Sequence, residues 1–242
     1  HPEAVLDDLE RLQNNYNVNG VNLYDSLFFV NVKRAKAILK GIIDRGLTLR
    51  LGNLDGRAKQ LAQADDELWE LLRKSRTYSI LCGAESGDQE SLDVIDKDMD
   101  VEDNYKFAEK CQKYNVKVIF STLVGIPMLN HTHQELTDKT NGQIDATIKM
   151  LDKFLSYDNR NRGQMFIYMP YPGTPLYDIA VKMGFQEPTK LDAWANMKLY
   201  EKQTPWVTTK QAQLVSMISS YIFMFLDSDT IVWAKGRIKN PI

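Results

Sequence analysis

The sequence predicts an α/β protein built on a parallel sheet with crossover helices. Segments of strand length alternate with helical patterns five times along the chain, which is the order that parallel strands need. The strand segments are near-continuous apolar runs, as expected for strands covered on both faces. An open doubly wound sheet and a barrel both fit this order. In either architecture, ligand sites gather at the carboxyl ends of the strands.

The predicted elements carry local start and stop signals. Pro2 stands in the first turn of the first helix, Gly46 follows the second helix, and an Asp caps the third. The helices are predicted at 2–16, 32–44, 65–75, 101–114 and 143–157. The strands are predicted near 20–25, 47–53, 78–83, 117–124 and 163–169. From Pro175 onward the pattern is wholly helical, which predicts a sheet domain over 1–185 and a helical extension over 186–242.

Composition excludes several classes of protein. The 242 residues include 30 basic and 32 acidic side chains, and a net charge of -2 does not indicate a nucleic-acid partner. The apolar segment 214–226 is too short to span a bilayer, so no membrane partner is predicted. Only two cysteines occur, which favours a reducing, cytoplasmic setting. Because the chain opens directly in a helix, we expect it to be part of a longer protein.

Polar residues follow each predicted strand where it ends. Glu85 follows the third strand between Gly83 and Gly87, where a carboxylate offers two acceptor oxygens to a ribose diol or an ammonium group. Lys97, twelve residues later, would return a positive charge to the same place. Parallel strands end at one edge, so these side chains are expected on a shared rim. The strand-end residues predicted there are Asp25, Asn53, Arg57, Glu85, Ser121 and Tyr168.

Simpler interpretations of these features stay open. A Glu in a glycine-flanked turn is also typical of a solvated turn residue, and PYPGTP is also typical of a rigid turn before a short helix. His131 and His133 lie in a polar stretch with no further Cys or His nearby, so no metal ligand is predicted in this chain. Aromatic residues of the extension are expected mainly to pack: Trp194, Tyr200, Trp206 and Tyr221.

Three motifs in this order resemble the radical S-adenosylmethionine (SAM) enzymes. They are GAESGDQESLDVIDK at 83–97, VGIP at 124–127 and PYPGTPLY at 170–177. The closest resemblance is to the subgroup whose members often carry an N-terminal cobalamin-binding domain, and it covers about residues 2–177. It implies a partial (β/α)6 barrel, here without its first strand. It also implies SAM bound at a 4Fe–4S cluster and cleaved to a 5′-deoxyadenosyl radical.

The resemblance also implies roles for individual residues. Glu85 resembles the residue that holds the ribose or amino group of SAM, and Lys97 the cation for its carboxylate. Ser121 falls where a polar residue meets the ribose. Tyr168 and Met169 are implied to lie near the adenine. Asn53 and Arg57 are implied to lie near the methionyl group or the substrate. No residue is identified as catalytic beyond cofactor binding.

The implied partners are a small-molecule or peptide substrate and, for the cobalamin-using subgroup, a cobalamin-binding domain of the same protein. The reaction would be methyl transfer or rearrangement. The family's cluster motif, C-x-x-x-C-x-x-C, is absent from this sequence, and Cys82 and Cys111 cannot replace three closely spaced thiolates. The ligands of a 4Fe–4S cluster are therefore expected outside this chain.

Two rival functions remain at this stage. One is a barrel that binds a nucleotide-like or phosphorylated metabolite, although PYPGTP offers few free N–H groups because three of its six residues are prolines. The other is a related module without catalysis, which the missing thiolates favour and the strand-end residues do not.

Overall fold

Helices and short strands alternate along the chain in this computed structural model, which describes residues 1–198 and 201–222. The described helices are α1 (Pro2–Tyr16), α2 (Val32–Asp44), α3 (Ala58–Gln63), α4 (Asp66–Lys74), α5 (Gln89–Ile95), α6 (Val101–Lys113), α7 (His133–Tyr157), α8 (Pro175–Lys182), α9 (Leu191–Ala195) and α10 (Thr209–Met217). A π-helical turn, Ile218–Ile222, follows α10. The described strands are β1 (Gly20–Asn22), β2 (Arg50–Gly52), β3 (Leu54–Gly56), β4 (Ser79–Glu85), β5 (Lys117–Val124) and β6 (Arg162–Ile167).

The chain divides into two units. Unit 1 comprises His1–Ala84 and Glu102–Phe120, and unit 2 comprises Glu85–Val101 and the described residues from Ser121 onward. The domain boundary predicted between residues 185 and 186 stays a prediction.

Parallel strand pairing organises unit 1. Strand β1 pairs with β2 in parallel, with Gly20 opposite Arg50. Strand β3 pairs with β4 in parallel, with Leu54 opposite Ile80. The first half of β5 lies beside β4, where the Lys117 N–H donates to the Tyr78 carbonyl at 3.0 Å. The predicted α/β class with parallel strands is confirmed.

Trp69 lies at the centre of the apolar core of unit 1. Its ring is fully buried, stacks on Tyr114 at 5.6 Å and lies 6.2 Å from Phe107. The indole N–H donates to the Leu61 carbonyl at 3.2 Å, which satisfies the buried polar atom. Trp69 is presented by α4, which begins where the predicted Asp cap, Asp65, accepts from Leu68 N at 3.0 Å.

Unit 2 contains the second half of β5 beside β6. The Tyr168 N–H donates to the Val124 carbonyl at 2.8 Å, which continues this pairing past the end of β6. The Ser219 hydroxyl accepts from Met165 N at 3.0 Å and donates to Met165 O at 2.6 Å. The C-terminal π-helical turn is thereby fixed against β6.

The turn after β5 is held by two distant side chains. Gly125 has φ of 77°, and the Gln143 side-chain oxygen accepts from Gly125 N at 2.7 Å and Ile126 N at 3.3 Å. The Trp206 indole donates to the Gly125 carbonyl at 3.0 Å and its ring is fully buried. A side chain at Gly125 would meet Val207 at 2.8 Å, so the VGIP glycine permits close packing.

The aromatic residues of the extension differ in what the structure records for them. Trp206 packs as predicted. Trp194 is half-buried and lies 6.4 Å from Tyr177, which also indicates packing. Tyr200 lies outside the described residues, and so does the side chain of Tyr221.

Several predicted boundaries were wrong, among them the end of the first strand, which lies at Asn22 and not at residue 25. The second predicted strand, 47–53, is shortened to β2 at residues 50–52, and a separate strand, β3, begins after Asn53, which adopts a left-handed backbone with φ of 54°. Helix α7 starts at His133 instead of Gln143, since Thr132 and Glu135 form a capping box that the prediction missed. The region after Pro175 is not wholly helical: residues 183–190 and 201–208 lie outside helices.

In the part of the chain that the structure describes, no helix has both the length and the hydropathy required to cross a membrane. The segment 214–226 extends beyond the described residues.

Candidate functional site

Glu85 is the last residue of β4 and has an unusual backbone conformation. Its φ is 59°, in the left-handed region, and only 8% of the residue is exposed. A left-handed conformation costs a non-glycine residue about 1–2 kcal/mol, and Glu lacks the short side chain with which Asn compensates. The surrounding structure therefore imposes this conformation, and strain of this kind is often found at functional sites.

The segment after Glu85 is fixed by its own hydrogen bonds. Gly87 N donates to the Thr147 hydroxyl at 3.1 Å, and Asp88 caps α5 by accepting from Ser91 N at 2.9 Å. A Cβ at Gly87 would lie 2.4 Å from the Ala146 carbonyl oxygen on α7. Gly87 therefore permits the close approach of this segment to α7.

Lys97 returns to Glu85, as its spacing suggested. Its Nζ donates to Glu85 Oε1, and the two groups form an ion pair. The Glu85 side chain is 10% exposed, whereas the Lys97 side chain is 52% exposed. Asp96 ends α5 in a left-handed conformation, φ 56°, which turns the chain back at this point. The buried Glu85 carboxylate is therefore neutralised by a Lys97 ammonium group that is half exposed to solvent.

The ion pair lies on the wall of a largely apolar pocket of about 440 Å³ in unit 2. That volume is within the range of small-molecule sites. Its floor includes Leu123 of β5 and, at the end of β6, the alternate residues Phe166 and Tyr168, and Ile167 between them also lines the pocket. The lining residues are Glu85, Ile95, Lys97, Leu123, Phe166, Ile167, Tyr168, Met169, Tyr171, Thr174, Pro175 and Leu176.

Tyr168 brings an unsatisfied hydroxyl to this pocket. The residue is 5% exposed, and within the described ranges its oxygen has no partner at good hydrogen-bond geometry, with the Thr174 side chain as its polar neighbour. Burial raises the Tyr168 pKa far above its ordinary value, so the hydroxyl stays protonated at neutral pH. A buried hydroxyl without a partner costs about 1–3 kcal/mol, a cost that an acceptor on a ligand would offset.

The PYPGTP segment forms the outer wall. The Thr174 hydroxyl donates to the Tyr171 carbonyl at 2.8 Å, Gly173 has φ of 83°, and α8 begins at Pro175. The interpretation as a rigid turn before a short helix is confirmed. The same turn places Tyr171 and Thr174 on the pocket, so it shapes the site as well.

Other predicted site residues lie elsewhere. Ser121 is half-buried within β5, because the strand continues to Val124, and it is not among the residues lining the pocket. In unit 1, Asp25 pairs with Arg34 at 3.1 Å, and Asn53 is bonded to Ser79. Arg57, also in unit 1, is exposed at the start of α3. The cofactor roles implied for these residues stay predictions.

Metal-ligating side chains do not gather in the described residues, where no group of three or more His, Cys, Asp or Glu has a metal-binding arrangement. Cys82 in β4 and Cys111 in α6 are both buried. His131 Nδ1 lies 2.9 Å from the Leu129 carbonyl, and His133 Nε2 lies 2.6 Å from the Met183 carbonyl. The residues present therefore do not fit a 4Fe–4S cluster, which needs several thiolates.

Sequence reasoning missed the apolar half of the pocket. Ile95, Leu123, Phe166 and Leu176 were not singled out, because apolar residues in strands and helices look like core. Strand alternation was the available signal: it puts Phe166 on the same face as Tyr168.

The arrangement suits a ligand with both charged and apolar parts. Glu85 can accept hydrogen bonds from an ammonium group or a diol, and Lys97 has three donors, of which one or two remain for a carboxylate. The apolar floor suits a planar ring. A zwitterion attached to a nucleoside combines these features, and SAM is such a molecule.

Comparison with known proteins gives relatives of low identity. No protein-family model matches the chain. An uncharacterized methyltransferase of Pyrococcus horikoshii is 22% identical over 210 residues, which is 83% of this chain and 41% of the relative. An anaerobic magnesium-protoporphyrin IX monomethyl ester cyclase of Cereibacter sphaeroides is 25% identical over 73% of this chain and 26% of the relative. The chain thus spans less than half the length of either protein.

Solved structures share the fold. TsrM of Kitasatospora setae, a radical SAM methyltransferase solved with cobalamin and a 4Fe–4S cluster, has a TM-score of 0.58 at 18% identity over 87% of this chain and 41% of its own. HemN of Escherichia coli, a radical SAM coproporphyrinogen III oxidase, has a TM-score of 0.56 at 12% identity, over 97% and 51%. The cobalamin-dependent enzyme OxsB has 0.51 at 12% identity, over 100% and 32%. The chain therefore has the radical SAM fold, and the resemblance predicted from its three motifs is confirmed.

Proposed function

We propose that this chain is the SAM-binding core of a radical SAM enzyme, with SAM held in the pocket of unit 2. The observation that supports it most is the buried, backbone-strained Glu85, ion-paired with Lys97 on the wall of an apolar pocket. A solvated turn residue would have no reason to be both buried and strained. The radical SAM fold supplies the chemical context.

Each part of SAM has a complementary group in this pocket. Glu85 accepts from the ammonium group or the ribose diol, and Lys97 donates to the carboxylate. Tyr168 offers a protonated hydroxyl donor, and Met169 and Phe166 border the adenine. When bound at a reduced 4Fe–4S cluster, SAM supplies a 5′-deoxyadenosyl radical. The protein supplies binding and orientation.

The cluster ligands are proposed to lie outside this chain, since its two cysteines are buried in β4 and α6. A cobalamin requirement is the second part of the proposal. It rests on TsrM and OxsB, both described with cobalamin bound. The reaction class is methyl transfer or rearrangement on a small-molecule or peptide substrate, and the methyltransferase relatives favour methyl transfer.

The test is equilibrium SAM binding by the protein that carries this chain together with its cluster ligands. Lys97→Ala should weaken SAM binding by about tenfold, because a charge-assisted hydrogen bond is lost. The matched control is Lys139→Ala, which breaks another Glu–Lys pair of unit 2, Lys139 with Glu90 at 2.5 Å. Equal affinities in both variants, or no saturable SAM binding by the unaltered protein, would contradict the proposal.

The cluster has a separate test. The 242-residue chain alone, treated with iron and sulfide under reducing conditions, should develop no stable visible chromophore and should not consume SAM. A stoichiometric cluster on this chain alone would show that the proposed location of the ligands is wrong.

A further inference from the structure

A second concave site lies in unit 1, at the amino ends of the strands. Asn19 precedes β1, Arg50 opens β2 and Arg76 precedes β4. Together with Thr48 these residues line a pocket of about 480 Å³, here called the arginine pocket. Ligand sites in parallel sheets normally use the opposite strand ends, so the SAM proposal leaves this pocket unexplained.

The charge in the arginine pocket is not balanced. Neither Arg50 nor Arg76 forms an ion pair with a carboxylate in the described part of the chain, and the four lining residues include no acid. Other arginines of unit 1 are neutralised: Arg45 pairs with Glu3 and Arg73 with Glu70. Two cationic side chains that line one pocket repel each other, to the extent that solvent does not screen these exposed groups, and a bound anion removes that repulsion.

The neighbouring groups also favour an anion. The Asn19 side-chain amide makes no hydrogen bond among the described residues, so its N–H donors are available. Thr48 lines the pocket, but its N–H and its hydroxyl both donate hydrogen bonds to Gln13 Oε1. Arg76 has φ of 59°, a left-handed conformation that brings an arginine side chain to the pocket at a cost.

Arg50 links this pocket to a second one of about 250 Å³ along β1 and β2. Its guanidinium carbon lies 5.9 Å from the centre of the Tyr78 ring, and the buried Lys117 lies 5.4 Å from the same ring. The second pocket is lined by Gly20, Gly52 and Tyr78, among others. The surface therefore continues from two cations to an aromatic ring, which suits an anionic group on a larger molecule.

We propose that the arginine pocket binds a phosphate-type oxyanion, either free or as the phosphate group of a small molecule. Guanidinium groups match the tetrahedral oxygens of phosphate by paired hydrogen bonds, and two of them neutralise a dianion. The proposal is independent of SAM binding, because all of its residues belong to unit 1.

Calorimetric titration of the purified protein with inorganic phosphate and with phenyl phosphate tests this proposal at constant ionic strength set by chloride. We expect saturable binding at one site. Arg50→Gln and Arg76→Gln should each weaken binding by about tenfold or more. Stronger binding of phenyl phosphate would identify an esterified ligand, whereas stronger binding of inorganic phosphate would identify the free ion.

The matched control is Arg73→Gln, which makes the same change of charge in unit 1 at an arginine that Glu70 holds at 2.8 Å. Its phosphate affinity should equal that of the unaltered protein. Two results would overturn the proposal: no saturable binding of either probe, or an equal loss of affinity in all three variants, which would indicate a general effect of net charge.

Discussion

Asn53 and Glu85 share a backbone conformation, but their side chains have different roles. Both follow or end a strand, and both have left-handed φ, 54° and 59°. Asn53 is satisfied locally: its N–H donates to the Ser79 hydroxyl at 3.0 Å, and that hydroxyl donates to Asn53 Oδ1 at 3.2 Å. Glu85 instead pairs with Lys97, a side chain that is half exposed.

The difference lies in residue type. Asn tolerates the left-handed region, so at Asn53 this conformation simply separates β2 from β3. Glu does not tolerate the left-handed region well, so a Glu at the end of β4 indicates a function other than local stability. The proposed function is to place a carboxylate in the pocket where SAM binds. A strained residue of an unsuitable type is thus a sharper functional signal than a polar residue at a strand end.

The comparison predicts its largest effect for Glu85→Gln. In the protein with its cluster, this change should weaken SAM binding by about tenfold to a hundredfold, because the charged acceptor is lost. Gln keeps the size and shape of Glu, and the Lys97 ammonium left unpaired is half exposed, so the free energy of unfolding should change by less than about 1 kcal/mol. Calorimetry and chemical denaturation measure the two quantities. Glu90→Gln, which removes the same charge from the exposed Glu90–Lys139 pair, is the control and should leave SAM affinity unchanged.

Asn53→Ala should show the opposite pattern. Ala lacks the tolerance of Asn for left-handed φ, and the buried Ser79 hydroxyl loses its acceptor. We expect the free energy of unfolding to fall by about 1–3 kcal/mol in denaturant titrations. SAM affinity should be retained if the task of Asn53 is structural. A stable variant that bound SAM poorly would instead support the ligand contact predicted from the sequence.

Tyr168→Phe tests the unsatisfied hydroxyl. Removing a buried group without a partner should leave the unliganded protein as stable or more stable by about 1 kcal/mol. SAM affinity should fall several-fold if the hydroxyl donates to the ligand. Thermal unfolding with and without SAM measures both effects, and loss of stability with unchanged affinity would show that the hydroxyl has a structural partner within the protein.

Glu85→Gly should produce the smallest change in stability. Glycine relieves the left-handed strain but adds backbone freedom to the unfolded chain, and the Lys97 ammonium that loses its partner is half exposed to solvent. The free energy of unfolding should therefore stay within about 1 kcal/mol of the original value. A large destabilisation would show that Glu85 is a structural residue like Asn53.

Much of the architecture could be predicted from the sequence, since it depends on local signals. The bounds of α1 and α2 follow from apolar residues at helical spacing with Pro2 and Gly46 at the ends. Asp65 and Asp88 cap the helices as their side-chain chemistry requires. The three motifs identified the fold because their order and spacing are specific together.

Only the tertiary structure decided the site. The sequence placed Glu85 at a strand end and Lys97 twelve residues later, but the chain reversal after α5 makes the pair. Phe166 and Leu123 looked like core until strand alternation and packing placed them on the pocket floor. The left-handed backbone of Glu85 and the unsatisfied hydroxyl of Tyr168 have no local signal, because strain and unmet hydrogen bonds arise from packing between segments distant in the chain.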